Sequence, residues 1–295
     1  MKEHSIDVGG LRLRAVEAGD GAPLLVLHGF TGDVESMESV SAGLCGDHRV
    51  VRLELVGHGR SDSPEDSSLY SMTDCARQVA AAATALRLDK PHLLGYSMGG
   101  RAALAAAVAR PDLFSSLVLV GATAGIGDAR LRDDRIRADG ELADRIEREG
   151  IDRFVDEWMA LPIFASQSRL GEDALSRARA QRLRNSERGL ANSLRGMGAG
   201  AQTPLFDELK SVEMPVLLAV GDEDEKFTAI AAALEERLPD ARTAIVPDAG
   251  HAVHLEAPVE FASIVRRFLA RIDSVEAARP TTARSEAARN PGGRA

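Results

Sequence analysis

Gly95-Tyr96-Ser97-Met98-Gly99 reads G-x-S-x-G, and its flanks decide what it can do. A short apolar run, residues 91–94, precedes it, and an alanine-rich stretch of helix formers, residues 100–110, follows. A serine on a sharp strand-to-helix turn projects its hydroxyl outward. The helix N-terminus behind it favours developing negative charge. A glycine-rich turn that happens to contain serine would show the same five letters, so the partners matter. A serine hydroxyl is a poor base and a poor nucleophile until a histidine takes its proton. That histidine in turn needs a carboxylate to fix its tautomer.

The chain offers both partners, in the order serine, acid, histidine. His251 lies in Asp248-Ala249-Gly250-His251, on the loop after the last strand-like run. The small Ala249-Gly250 pair favours its delivery to a site over its rival His254, which is expected to cap or pack under the next helix. The loop Gly221-Asp222-Glu223-Asp224-Glu225-Lys226-Phe227 offers four carboxylates. Asp224 is the choice, three residues past the strand-end Gly221, with Asp222 second. Two backbone N–H groups should hold an oxyanion. One is that of Met98, directly after the serine. The other is that of Phe30, in the loop His28-Gly29-Phe30-Thr31-Gly32. His58, inside Gly57-His58-Gly59-Arg60-Ser61-Asp62, is expected to shape the pocket wall and not to titrate in the reaction.

These residues need a scaffold, and the hydrophobic pattern describes one. Residues 11–16 alternate like an edge hairpin strand. Residues 23–27, 50–55, 117–120 and 216–220 are strand-like apolar runs, as buried parallel strands are. Helical patterns at 71–88, 229–238 and 258–271 alternate with them, and a further strand falls at 241–246. The alternation predicts an α/β fold, a mostly parallel twisted sheet with helices on both faces. The rhythm breaks at 125–203, where amphipathic helices are predicted at 132–149 and 170–195. That stretch is expected to be a helical cap over the sheet's C-terminal edge, where open parallel sheets bind ligands. The core is then 1–124 with 204–272, and 273–295 is expected to be a disordered tail.

Composition narrows the function. A net charge of −9 argues against a nucleic-acid partner. No apolar run is long enough to insert in a membrane. Met1-Lys2-Glu3-His4 leads directly into strand-like sequence without a secretory signal, so a soluble cytoplasmic protein is expected. Cys45 and Cys75 make no disulfide framework or metal pattern and are expected to be buried or half-buried. Between residues 126 and 195 fourteen arginines face fourteen acids, but between 169 and 195 seven arginines face three. Most must lie on solvated, salt-bridged faces. A subset turned inward would make an anion site, since the planar guanidinium binds both oxygens of a carboxylate.

Taken together, His28-Gly29-Phe30, Gly57-His58-Gly59-Arg60-Ser61, Gly95-Tyr96-Ser97-Met98-Gly99-Gly100 and Ala249-Gly250-His251 resemble the α/β-hydrolase superfamily over residues 5–272. The stretches Ser97-Met98-Gly99-Gly100-Arg101, Trp158-Met159-Ala160-Leu161-Pro162-Ile163-Phe164 and Asp224-Glu225-Lys226-Phe227 are more selective. So are the runs at 189–198 and 250–256. They resemble the 2-succinyl-6-hydroxy-2,4-cyclohexadiene-1-carboxylate synthases (MenH type) of menaquinone biosynthesis. The resemblance implies a lyase that eliminates pyruvate from 2-succinyl-5-enolpyruvyl-6-hydroxy-3-cyclohexene-1-carboxylate. It implies no metal or organic cofactor and a small polycarboxylate as the partner; the sequence leaves monomer and homodimer both open. Ser97, helped by His251 and Asp224, would be a base that forms no acyl-enzyme. Tyr96, Arg101, Arg135, Trp158 and Arg182 match substrate-binding positions, with Arg184 the alternative to Arg182. The chain departs from the family at Glu54-Leu55, where aspartate-leucine is frequent, and near Met37, where an aromatic is. The same triad would equally serve an ester or C–C bond hydrolase. A small-molecule receptor that retains a triad is the third reading.

Overall fold

The computed structural model describes residues 1–278. A hairpin of β1 (Lys2–Asp7) and β2 (Arg12–Ala18) is followed by β3 (Ala22–Leu27), α1 (Glu38–Leu44), β4 (His48–Leu53) and α2 (Met72–Ala85). Next come β5 (His92–Tyr96), α3 (Met98–Ala109) and β6 (Ser116–Val120). Four helices then run without a strand: α4 (Ala129–Glu149), α5 (Ile151–Met159), α6 (Glu172–Arg182) and α7 (Glu187–Met197). The chain returns to the sheet with β7 (Val216–Gly221), α8 (Glu225–Glu235) and β8 (Ala241–Val246), and the described residues close with α9 (Val253–Glu256) and α10 (Pro258–Ala278). The eight strands lie in the order β1-β2-β4-β3-β5-β6-β7-β8. Only β2 runs against its neighbours, and the rest are parallel.

The apolar runs are continuous because both faces of the sheet are covered. Leu25, Leu27, Leu93, Leu117 and Leu218 point to one side and pack with Val79, Ala103 and Ala106 of α2 and α3. Leu24, Val26, Leu94, Val118 and Leu217 point to the other and pack with Leu44, Phe261, Val265 and Leu269 of α1 and α10. A smaller cluster holds α4, α5 and α7 together through Ile146, Phe154, Val155 and Leu190, and it meets Phe30 at the sheet edge. Crossing right-handed between parallel strands leaves every strand-to-helix loop at the same edge. Ser97, Gly121 and Asp224 therefore emerge side by side.

Three sequence expectations need correction. The edge strand is β1, and β2, which takes up residues 12–16 of that run, sits one place inside it. The single helix predicted at 170–195 is two. Asn185 breaks it, because its amide donates to the carbonyls of Arg182 and Thr31 (both 2.9 Å) and its Oδ1 accepts from Gly59 N–H. Ser186 then caps α7 by accepting from Gly189 N–H at 3.2 Å. Finally, the last helix does not stop at Arg271 but continues to Ala278, past the predicted start of the tail. The remainder of that predicted tail lies outside the described residues. Among the described residues no helix is long and apolar enough to cross a membrane.

Candidate active site

Ser97 occupies the turn between β5 and α3 at φ 52°, ψ −109°, a conformation that costs a residue with a Cβ about 1–3 kcal/mol. The surroundings impose it. Ser97 N–H donates to Val120 O at 2.8 Å, and Arg101 N–H donates back to Ser97 O at 3.0 Å. Gly95 is required because a Cβ there would collide with the backbone of Gly99 and Gly100, where strand and helix touch. The strain holds the hydroxyl out of the sheet edge and toward the loop that follows β8.

His251 arrives from that loop. Its Nε2 lies 3.1 Å from Ser97 Oγ, and its Nδ1 lies 2.7 Å from Asp224 Oδ2. The other oxygen of Asp224 caps α8, accepting from Phe227 N–H at 3.2 Å. One carboxylate thus anchors to a helix N-terminus and to the imidazole at once. Asp222 turns away and accepts from Ala249 N–H. Glu256 brackets the histidine, accepting from Gly250 N–H at 2.8 Å and from Ala252 N–H at 3.0 Å. The rings of Phe227 and Tyr96 flank the imidazole at 4.6 and 5.3 Å. His254 is buried against Tyr96 and Phe261, away from Ser97, as expected of a packing residue. Burial pushes it down to about 3, which keeps it neutral.

Opposite Ser97, the loop after β3 is held by His28. Leu55 N–H donates to His28 Nε2 at 3.1 Å, so the ring proton sits on Nδ1 and donates to Gly29 O at 2.8 Å. Gly32 N–H donates to the same carbonyl at 2.9 Å. In a trans peptide the N–H points opposite to the C=O, so pinning the Gly29 carbonyl aims the Phe30 N–H away from His28. Met98 opens α3, where backbone N–H groups have no acceptor within the helix. Phe30, Met98, Ser97 and His251 line one cavity together. His58 does not line it. It stacks behind Phe30 and His28, with burial pushing it down to about 3, which corrects the expected pocket-wall role.

The cavity holds about 430 Å³ between the sheet edge and the helical insertion. Trp158, Phe164 and Phe206 supply apolar walls, and Arg101, Arg135 and Lys226 supply charge. No aspartate or glutamate among the described residues lines it. Arg135 Nε donates to Asp139 at 2.8 Å, which partly neutralises it. Arg101 is 8% exposed and donates from Nη1 to the amide oxygen of Gln202 at 3.0 Å. Desolvation, and then the nearby Arg135 charge, push it down to about 10, so it remains a cation at neutral pH.

Residues 22–258 match the family model described as the alpha/beta hydrolase fold. A Bacillus subtilis (strain 168) protein provisionally named 2-succinyl-6-hydroxy-2,4-cyclohexadiene-1-carboxylate synthase is 42% identical, over 89% of this chain and 96% of its own. The synthase of that name from Enterobacter sp. (strain 638) is 31% identical, over 84% of this chain and 92% of its own. The chain belongs to this synthase family. The solved structure of MenH from S. aureus superposes with a TM-score of 0.83 at 29% identity, covering 88% of this chain and 98% of that one. A thermophilic esterase from Thermogutta terrifontis (malate bound) shares the fold with a TM-score of 0.78 at 26% identity, covering 92% and 99%.

Set in the family fold, the predicted residues divide. Ser97, Phe30, Met98, Arg101, Arg135, Trp158 and His251 line the cavity, and Asp224 stands behind His251. Tyr96 and Arg182 do not. They face a separate pocket of about 20 Å³ on the other side of Phe30. The reason is the elbow itself: with Ser97 turned to the cavity, the preceding side chain of β5 must point to the other face. Arg184 pairs with Asp33 at 2.7 Å, outside the cavity. Lys226 was not among the expected site residues, although it lies two residues after Asp224 in the first turn of α8, and its side chain extends over Phe227 into the cavity. The clamp Glu256 was likewise visible only as part of a motif.

Proposed function

We propose that the chain catalyses the reaction its family name describes: elimination of pyruvate from 2-succinyl-5-enolpyruvyl-6-hydroxy-3-cyclohexene-1-carboxylate, as a carbon–oxygen lyase of menaquinone biosynthesis. The single observation that carries this reading is the cavity. Among the described residues it sets three cations and no lining acid around a serine–histidine–aspartate arrangement. A small molecule with several carboxylates is the matching ligand.

The names of substrate and product fix the electron flow. The proton leaves C2, beside the succinyl carbonyl. Its C–H electrons form C2=C3, the C3=C4 bond moves to C4=C5, and the C5–O bond breaks. The departing enolpyruvate takes a proton on its methylene carbon and becomes pyruvate. Ser97 Oγ accepts the C2 proton while His251 Nε2 takes the hydroxyl proton. Asp224 holds the imidazole in the required tautomer and stabilises the imidazolium. The succinyl carbonyl gains negative charge as the proton leaves, and the N–H groups of Phe30 and Met98 receive it. Arg101 and Arg135 bind carboxylates, and Trp158 packs on the ring. No bond forms between Ser97 and substrate.

The test supplies the enolpyruvyl substrate and follows pyruvate release. Turnover with stoichiometric pyruvate is expected. Folded protein that releases none at micromolar enzyme refutes the reading. An acyl-enzyme trapped at Ser97 with a small ester, turning over rapidly, would make the chain a hydrolase of the same fold.

A further inference from the structure

At the opposite edge of the sheet from the active site, three ligating side chains converge from distant parts of the chain. His48 is the first residue of β4, His92 the first residue of β5, and Asp273 lies on α10. Asp273 Oδ1 is 3.0 Å from His92 Nε2, and its Oδ2 is 3.3 Å from His48 Nε2. All three ligand atoms lie within 4.8 Å of one another. Both histidines are 2% exposed. Beneath them, His92 Nδ1 lies 2.8 Å from Ser116 Oγ and 2.9 Å from Ser115 Oγ.

From this geometry we propose that His48, His92 and Asp273 form a binding site for a divalent transition metal of the zinc class. Imidazole nitrogen and carboxylate oxygen are the donor set such an ion takes, at about 2.0–2.2 Å. Ligands of a tetrahedral ion at that distance stand about 3.3 Å apart, by the tetrahedral edge-to-radius ratio. His92 Nε2 stands 3.0 Å from Asp273 Oδ1, a hydrogen bond that a bound ion would replace, and His48 Nε2 stands 3.3 Å from the other oxygen, Oδ2. A second observation points the same way. Among the described residues neither buried ring nitrogen of His48 has a hydrogen-bond partner, because the contact to Asp273 is close but misaligned. Leaving a buried ring nitrogen unpaired is unfavourable, and a metal at Nε2 would satisfy one of them. The serine hydroxyls hold the other nitrogen of His92, as outer-shell partners of a ligating histidine do. Asp273 is about one-third exposed, which leaves an entry path and room for water as a fourth ligand. Asp33, Glu35 and Glu54 also cluster, but Arg14 and Arg184 already neutralise them, so no cation is needed there.

The site's place in the fold says what the metal does. β5 carries His92 at its start and leads into Ser97 at its end, so the two sites are about 16 Å apart along the strand. The metal therefore clamps α10 to the base of β4 and β5 and takes no part in the elimination.

The experiment uses the full chain without a histidine tag, stripped with EDTA and titrated with zinc chloride by calorimetry. Cobalt(II) serves as a spectroscopic probe, since tetrahedral coordination gives intense visible bands. One ion per chain is expected, with a rise in melting temperature. Asp273→Ala sits on a part-exposed helix surface and should fold. It should weaken binding at least about tenfold and abolish the thermal shift, with elimination activity unchanged. His48→Gln should do the same. Absence of stoichiometric binding to the native chain overturns the proposal. Binding that survives either substitution in a folded variant overturns it equally. In both cases the cluster is a hydrogen-bonded latch alone.

Discussion

Replacing Arg101 with methionine should make the protein more stable and the enzyme worse. Arg101 is 8% exposed, and its hydrogen bond from Nη1 goes to a neutral amide. Desolvation lowers it well below the usual guanidinium value, to about 10. At about 1.4 kcal/mol per pH unit, holding that charge in the cavity wall costs the free enzyme about 3 kcal/mol. A depressed cation pKa means the cost is fully present below about pH 10 and relieved only above it, as the pH rises toward the unfolded guanidinium value. Arg101→Met removes the charge and keeps most of the volume. It also strands the Gln202 amide, whose Nε2 already lacks a partner among the described residues, at about 1 kcal/mol. The net expectation is a gain of about 2 kcal/mol in urea unfolding of the free protein. The substrate carboxylate then loses a charged partner worth about 1.5–3 kcal/mol, which is about a 10- to 150-fold fall in kcat/KM, mostly in KM. Urea titration and steady-state pyruvate release on the same preparation check both halves. A variant that is less stable than the parent with unchanged kcat/KM refutes the reasoning, because Arg101 would then be a structural donor to Gln202 and not an anion receptor.

Ser97→Ala should lower kcat about a thousandfold while leaving the unfolding midpoint near the parent's, and a fall of less than about tenfold would remove Ser97 as the base. Gly121 sits at φ 54°, and a Cβ there would stand 2.8 Å from His251 Cε1. Gly121→Ala should displace the imidazole and cost about a hundredfold in kcat, with about 1–2 kcal/mol of stability lost to the backbone conformation. Parent-like kinetics would show that the His251 position is not critical. His58 and His254 are both held down near 3 by burial, against about 6.5 when unfolded. Between those values the unfolded chain binds more protons, so stability should fall as pH drops from 6.5, by about 1.4 kcal/mol per pH unit for each histidine. Glu54, raised by burial, opposes the trend. A urea midpoint equal at pH 7 and pH 5, or a slope unaltered in His254→Gln, contradicts the assignment.

The residues that could do chemistry were legible because their constraints are local. The elbow needs glycines where strand and helix backbones touch, and that need is written as G-x-S-x-G. Ser97, Asp224 and His251 each follow a strand-like run in the sequence, and parallel strands joined by helices open such loops at one edge. Asp224 was separable from Asp222 by its distance from the strand-end glycine, which sets whether the carboxylate reaches the helix N-terminus and the imidazole together.

What the sequence could not decide depends on direction and on partners far along the chain. Nothing local tells that Arg182 turns away from the cavity while Lys226 turns in, because the direction of each is set by the packing of α6 and α8. The break at Asn185 is invisible until Thr31 and Gly59 supply its hydrogen-bond partners from another layer. Glu256 is an ordinary surface-type residue in the sequence and a clamp on His251 only once α9 folds back. The sequence by itself determined which groups exist, their order and the sheet that carries them, since those rest on backbone sterics and hydrophobic period. Only the tertiary structure decided which cations face the same 430 Å³ and which carboxylates are kept out of it, because burial and charge compensation are sums over residues brought together by folding.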